Sequence, residues 1–227
     1  MAKISLEGNK GLYIRKGFSI LLLCGAALTL LLVSGLSCVT YQSPTGTPFD
    51  MTESEIKAYI TPNCTLVRDC LQGILGDPPY EPTKADFDAI RDWVAANIDY
   101  VSDEEQWGVE EYWQTPEETL SLQTGDCEDF AILLCTLLRA FGIDDEHIYI
   151  AIGVDNDGYG HAFLIEDWYL DGEWRAIEPQ VEAEPFRPGR RFKDFNLADF
   201  LLLRHYEIIA AFNDFLYYDE SFPWDIG

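Results

Sequence analysis

Thr124-Gly125-Asp126-Cys127-Glu128-Asp129-Phe130-Ala131-Ile132-Leu133-Leu134 puts a cysteine where a polar, glycine-bearing stretch gives way to an apolar run. From there Phe130, Ala131, Leu134, Leu138 and Phe141 recur at helical spacing, and Gly142 supplies a stop. A helix therefore begins at Cys127, and the unpaired N–H groups of its first turn favour a thiolate there. Most free cysteines are small buried hydrophobes. Cys135, inside the apolar helix, reads that way. Cys127, set among Asp126, Glu128 and Asp129, does not.

Downstream, Ile148, Ile150 and Ile152 alternate as in a strand. Residues 160–168 and 173–178 read as two more strands joined by a turn at Asp171-Gly172. His161 lies on the first, on one face with Phe163 and Ile165. Glu178 ends the second, directly before Pro179. A hairpin brings them to neighbouring strands, where a carboxylate can fix an imidazole tautomer. Cysteine, histidine and carboxylate in this order are the parts of an activated thiol nucleophile. The bland alternative for His161 is a structural strand histidine.

Upstream, Thr52 and Glu55 form a capping-box pattern. Helices are expected near Leu66–Leu75 and over Lys84–Ile98, the latter with Phe87, Ile90, Trp93, Val94 and Ile98 on one face. Residues 99–116 read as irregular, acidic and aromatic. From Asn196 to Tyr217, Leu197, Phe200, Leu201, Ile208, Ile209, Phe212 and Phe215 suggest a closing helix. Helices, then a short antiparallel sheet, then a closing helix make an α+β domain.

The 227 residues suit one such domain with an N-terminal appendage. Gly17 to Val39 is 23 residues without a charge, against about 20 needed to span a bilayer. Lys3, Lys10, Arg15 and Lys16 precede it against Glu7, so the remainder is expected outside the cytoplasm. Gly35-Leu36-Ser37 suits a signal peptidase, and Cys38 is a lipidation candidate. Retained anchor, lipoprotein and free secretion all stay open for residues 1–39. Residues 40–50 are a polar tether, and 51–227 form the domain.

The net charge of −25 repels nucleic acid, which is excluded as a partner, and suits solubility. A basic run at Arg187–Lys193 is the local exception. Cys64 and Cys70 are a disulfide candidate in an oxidising compartment, provided that they lie in a loop or frayed turn. No CxxC pair accompanies the three histidines, so a zinc site is not expected.

Several ordered motifs together resemble the transglutaminase-like superfamily, and within it the bacterial and archaeal transglutaminase-like cysteine peptidases. They are Trp113-Gln-Thr-Pro-Glu-Glu-Thr-Leu120, Gly125-Asp-Cys-Glu-Asp-Phe-Ala-Ile-Leu-Leu134, Leu138-Arg-Ala-Phe-Gly-Ile143, Gly160-His-Ala-Phe163 and Trp174-Arg-Ala-Ile-Glu-Pro179. The motif-bearing part of the chain covers roughly residues 85–180. The resemblance implies a papain-like core, a nucleophile helix packed on a small antiparallel sheet. It carries over Cys127 as nucleophile, His161 as general base and Glu178 as orienting acid. The superfamily more usually has Asp in the third place, so Glu178 is longer by one methylene.

By the same resemblance Trp113 or Gln114 is a candidate second oxyanion donor lining the cleft. The three acids around Cys127 disfavour a thiolate, and a cation would remove that conflict. Some periplasmic relatives hold calcium with acids flanking the cysteine, as Asp126 and Glu128 do here. The alternative is that these acids cap the helix and complement its dipole. No cofactor is required by this reading, and calcium is a candidate.

The expected function is thiol-dependent acyl transfer on amides, chiefly hydrolysis of a protein or peptide substrate at the cell surface. The chain would be tethered through residues 17–39 or a lipidated Cys38. The alternative is a catalytically silent envelope binding module that uses Tyr206–Tyr218 as its contact surface.

Overall fold

The computed structural model describes residues 51–167, 173–180 and 195–219. Cys38, the leader, the tether, the Asp171-Gly172 turn and the basic run Arg187–Lys193 lie outside the described residues. Among the described residues no helix is long and apolar enough to cross a membrane.

The first half is helical. α1 (Glu53–Lys57) carries the expected capping box, with Thr52 N–H donating to Glu55 Oε2 at 2.8 Å. α2 (Thr65–Leu75) and α3 (Lys84–Asn97) follow, the latter capped by Thr83. The segment expected to be irregular holds a two-residue strand, β1 (Asp99–Tyr100), and one turn of helix, α4 (Asp103–Gln106), capped by Ser102. α5 (Pro116–Leu122) starts with Pro inside a Thr115/Glu118 capping box, where the missing N–H costs nothing. β2 (Thr124–Gly125) pairs in parallel with β1 and delivers the chain to α6 (Cys127–Phe141). Gly142, at φ 113°, ends α6 in the left-handed region that glycine tolerates.

The second half is a six-stranded antiparallel sheet of β3 (Ile148–Val154), β4 (Gly160–Glu166), β5 (Arg175–Ile177), β6 (Phe195–Asn196), β7 (Glu207–Phe212) and β8 (Tyr217–Tyr218). Their spatial order is β6-β5-β4-β3-β7-β8. α7 (Leu197–Arg204) intervenes between β6 and β7. Both sheet faces are covered. Ile148, Ile150, Ala162, Leu164 and Ile177 pack with α6 and the early helices, while Tyr149, Ala151, Phe163, Ile165 and Ala176 pack with Leu197 and Phe200 of α7.

Two expectations are corrected. The closing helix stops at Arg204, because His205 takes a left-handed conformation (φ 58°) and turns the chain back into the sheet. Residues 207–212 are then a strand beside β3, as suits β-branched Ile208 and Ile209. The Tyr206–Tyr218 segment is thus not a helix that could present a face. Cys64 and Cys70 are not bonded to each other: Cys70 is a free thiol, whereas Cys64 is disulfide-bonded. Cys64 caps a regular α2, so six positions at about 1.5 Å each set Cys70 too far along the axis to bridge.

Candidate active site

α6 is set by its first turn. Asp129, fully buried, accepts from the backbone N–H of Gln114 at 2.7 Å and of Asp126 at 3.2 Å, and from the Gln114 side-chain amide. Gly125 makes room for this knot: a Cβ there would stand 2.6 Å from Asp129 Cβ and 3.0 Å from Gln114 Nε2. Behind the first turn, Phe130 to Leu138 are buried without interruption. The sulfur of Cys127 is partly exposed at the front, and its S–H donates to Glu128 Oε2 at 3.3 Å.

β4 brings His161 to the same place. Its Nε2 lies 2.8 Å from Glu178 Oε2, so the longer carboxylate reaches the ring despite its extra methylene. Cys127 faces the same cleft as this imidazole. With Nε2 engaged by Glu178, Nδ1 is the nitrogen left for the thiol. Burial disfavours the charged ring, but the interactions with Cys127 and Glu178 outweigh it and raise His161 to about 10. This environment favours the imidazolium.

The ring belongs to an aromatic cluster, with Tyr206 at 5.7 Å and Phe163 at 6.1 Å between centroids and those two 6.0 Å from each other. Tyr206 directly precedes β7, whose register against β3 shifts between Ile152 and Gly153. A Cβ on Gly153 would lie 3.1 Å from both Tyr206 and Phe163.

Two limbs of a cleft meet at the thiol, sharing Tyr100, Cys127, Gly160 and His161. One, of about 370 Å³, continues along Glu178, Gln180, Arg204 and Tyr206. The other, of about 360 Å³, runs past Glu111, Trp113, Asp126, Glu128 and Ile152. Both fall in the range of ligand-sized sites.

The upstream donors are placed differently from expectation. Trp113 lines the second limb, but its indole N–H is committed to Glu111 Oε1 at 2.8 Å and its ring stacks on Phe212. Gln114 is fully buried and spends both amide hydrogens, on Asp129 and on the Thr124 carbonyl. It therefore anchors α6 and does not supply an oxyanion donor. The Cys127 backbone N–H, at the first position of α6, has no carbonyl within the helix and keeps that capacity.

Asp126 and Glu128 are joined by two acids. Oxygens of Asp103, Asp126, Glu128 and Asp129 all fall within 4.8 Å of one another. Burial, and then the neighbouring charges, push Glu128 well above the usual carboxylate range. Burial pushes Asp129 up likewise, against its bonds from Gln114. Burial and the charge of Asp126 raise Asp103 to about 7, although it accepts from the Tyr112 N–H. Asp126 Oδ1 and Glu128 Oε1 are buried without a hydrogen-bond partner. All-oxygen donors, unpaired acceptors and mutual repulsion fit a hard divalent cation.

Sequence reading missed Tyr100, Asp103, Gln180 and Tyr206. Asp103 sits in a segment of many acids and is selected only by the fold of α4. Tyr206 follows a helix end that periodicity runs straight through.

A family model described as "Bacterial transglutaminase-like cysteine proteinase BTLCP" matches residues 70–170. Among solved structures, LapG of Legionella pneumophila in its EGTA-treated form superposes with a TM-score of 0.51 at 17% identity, covering 75% of this chain and 80% of that one. Its calcium-bound form gives 0.49 at 16% identity, over 74% and 81%. A 58-residue stretch is 38% identical to a "Centrosomal protein of 76 kDa" from Xenopus tropicalis, and spans 26% of this chain and only 8% of that protein. At such identities the structural likeness speaks for the fold, and the family match supports a cysteine peptidase.

Proposed function

We infer, for a chain that belongs to the transglutaminase-like superfamily, that it is an extracytoplasmic cysteine peptidase with Cys127, His161 and Glu178 as its catalytic groups. The reading is carried by one observation: the imidazole of His161 is hydrogen-bonded to the Glu178 carboxylate at 2.8 Å and lines the same cleft as the Cys127 thiol.

His161 holds the proton that Cys127 gives up, and the sulfur attacks a peptide carbonyl carbon. The Cys127 N–H donates to the oxygen as it gains charge. Glu178 holds the ring's tautomer and stabilises the imidazolium. His161 then returns the proton to the departing amine as the C–N bond breaks, leaving an acyl-thioester. A water molecule, deprotonated by His161, cleaves the thioester to a carboxylate, and sulfur regains its proton.

Asp103, Asp126, Glu128 and Asp129 would hold a calcium ion, which when bound neutralises the acids beside the thiol. Glu128 has the most direct influence, because it accepts from the thiol at 3.3 Å. The substrate is a protein or peptide at the cell surface, and the tether is Gly17–Val39 or a lipid on Cys38. Support for that location is the uncharged N-terminal run with its basic flank.

Iodoacetamide labelling of Cys127 on residues 40–227, resolved from Cys135 by peptide mapping, tests the reading. Rapid labelling well below about pH 8 that His161→Ala slows is expected. Labelling that titrates like a free thiol near about 8.5 and ignores His161→Ala would sink it.

A further inference from the structure

Gln180 lies three residues past the last paired position of β5, on the limb of the cleft beyond His161 and Glu178. It is 3% exposed, and its Nε2 has no hydrogen-bond partner. A buried amide donor left unpaired costs free energy unless something in the occupied site accepts from it. Trp113 and Gln114, the upstream donors, are both committed elsewhere.

The chemistry fixes which part of a substrate lies here. An imidazolium must protonate the departing amine, so the amine-bearing segment lies toward His161 and past it. That is the limb holding Gln180, Arg204 and Tyr206. The first carbonyl of that segment is an acceptor close to the amine.

Resting on the peptidase reading, we propose that Gln180 is a substrate-binding residue that donates from Nε2 to the backbone carbonyl of the leaving segment. It thereby selects amines that carry a peptide-type carbonyl over simple alkylamines.

The test uses p-nitrophenyl acetate, which acylates Cys127 with release of p-nitrophenolate. The acyl-enzyme is then divided between glycinamide, which has the carbonyl, and propylamine, which lacks it. In each case the amine nitrogen attacks the thioester carbon, sulfur leaves and takes up a proton, and an amide forms.

Wild type is expected to prefer glycinamide, and Gln180→Leu to lower the glycinamide-to-propylamine product ratio roughly three- to tenfold, as for one lost hydrogen bond. Gln180→Glu, the same shape with an acceptor in place of the donor, should lower the ratio at least as far, and thermal melting checks that both variants fold. An unchanged ratio in both variants overturns the proposal, because the two amines divide the same acyl-enzyme. Absence of any burst in wild type overturns the peptidase reading itself, and the two failures are thereby told apart.

Discussion

Asp129 accepts the backbone N–H of Gln114 at 2.7 Å, and this bond fixes the start of the nucleophile helix to a segment fifteen residues earlier. Neither residue touches the thiol. Asp129→Ala would leave the Gln114 and Asp126 N–H groups without their acceptor, and is expected to cost about 2–4 kcal/mol. Urea denaturation measures it, and a loss under about 0.5 kcal/mol would contradict the anchoring role.

Gly125→Ala forces a methyl into Asp129 and Gln114, whose atoms stand 2.6–3.0 Å from its position. Overpacking of this kind costs about 1–3 kcal/mol. Because the strain falls on the knot below Cys127, iodoacetamide labelling should slow alongside the fall in Tm. A variant with wild-type Tm and labelling would show that the site has slack.

Glu178→Asp removes one methylene from the reach to His161, which the present carboxylate bridges at 2.8 Å. Rates should fall at least about tenfold, a barrier increase of about 1.4 kcal/mol. Glu178→Gln keeps the reach and loses the charge, and should fall further. Equal activity in all three would mean that the third position does not act on the imidazole.

Alkaline pH should weaken the fold through His161. Its value is about 10 in the folded protein, above the ordinary 6.5. A raised value means that the native state holds the proton more tightly, so the stabilisation is complete below about 6.5 and lost as pH rises toward about 10. The difference in urea midpoint between wild type and His161→Gln should therefore shrink from pH 6 to pH 10. A gap that widens with pH would reverse the assignment.

Calcium should raise Tm in proportion to the logarithm of its concentration above the dissociation constant. Asp103→Asn, remote in sequence from the cysteine, should reduce this shift as Glu128→Gln does, because both residues belong to one oxygen cluster. A Tm that EGTA and millimolar calcium leave equal would remove calcium from the account.

Much of this site is legible in the chain because its parts are local. The helix from Cys127 to Phe141 announces itself by an acidic first turn, an unbroken apolar run and Gly142, and its boundaries are those expected. The His161–Glu178 pairing follows from two strands in one hairpin. What could not be read is non-local. Leu197, Phe200, Leu201 and Ile208 fit a helical period, yet the left-handed turn at His205 divides them between a helix and a strand. The bond from Gln114 to Asp129 depends on how α5 and α6 pack, and no spacing encodes it. Cys64 and Cys70 are close in number, but a regular helix separates them.

The burial of α6 from Glu128 through Leu138 has a consequence for how the site fails. The helix that carries the thiol is the centre of the domain, so Cys127 has no hinge of its own on which to drift. Amide protons along α6 should exchange only through global opening. Loss of His161-coupled reactivity on heating should then coincide with the melting of the whole domain. The nucleophile thus reports the integrity of the fold, and damage far from the cleft will be felt as lost chemistry only when the domain itself gives way.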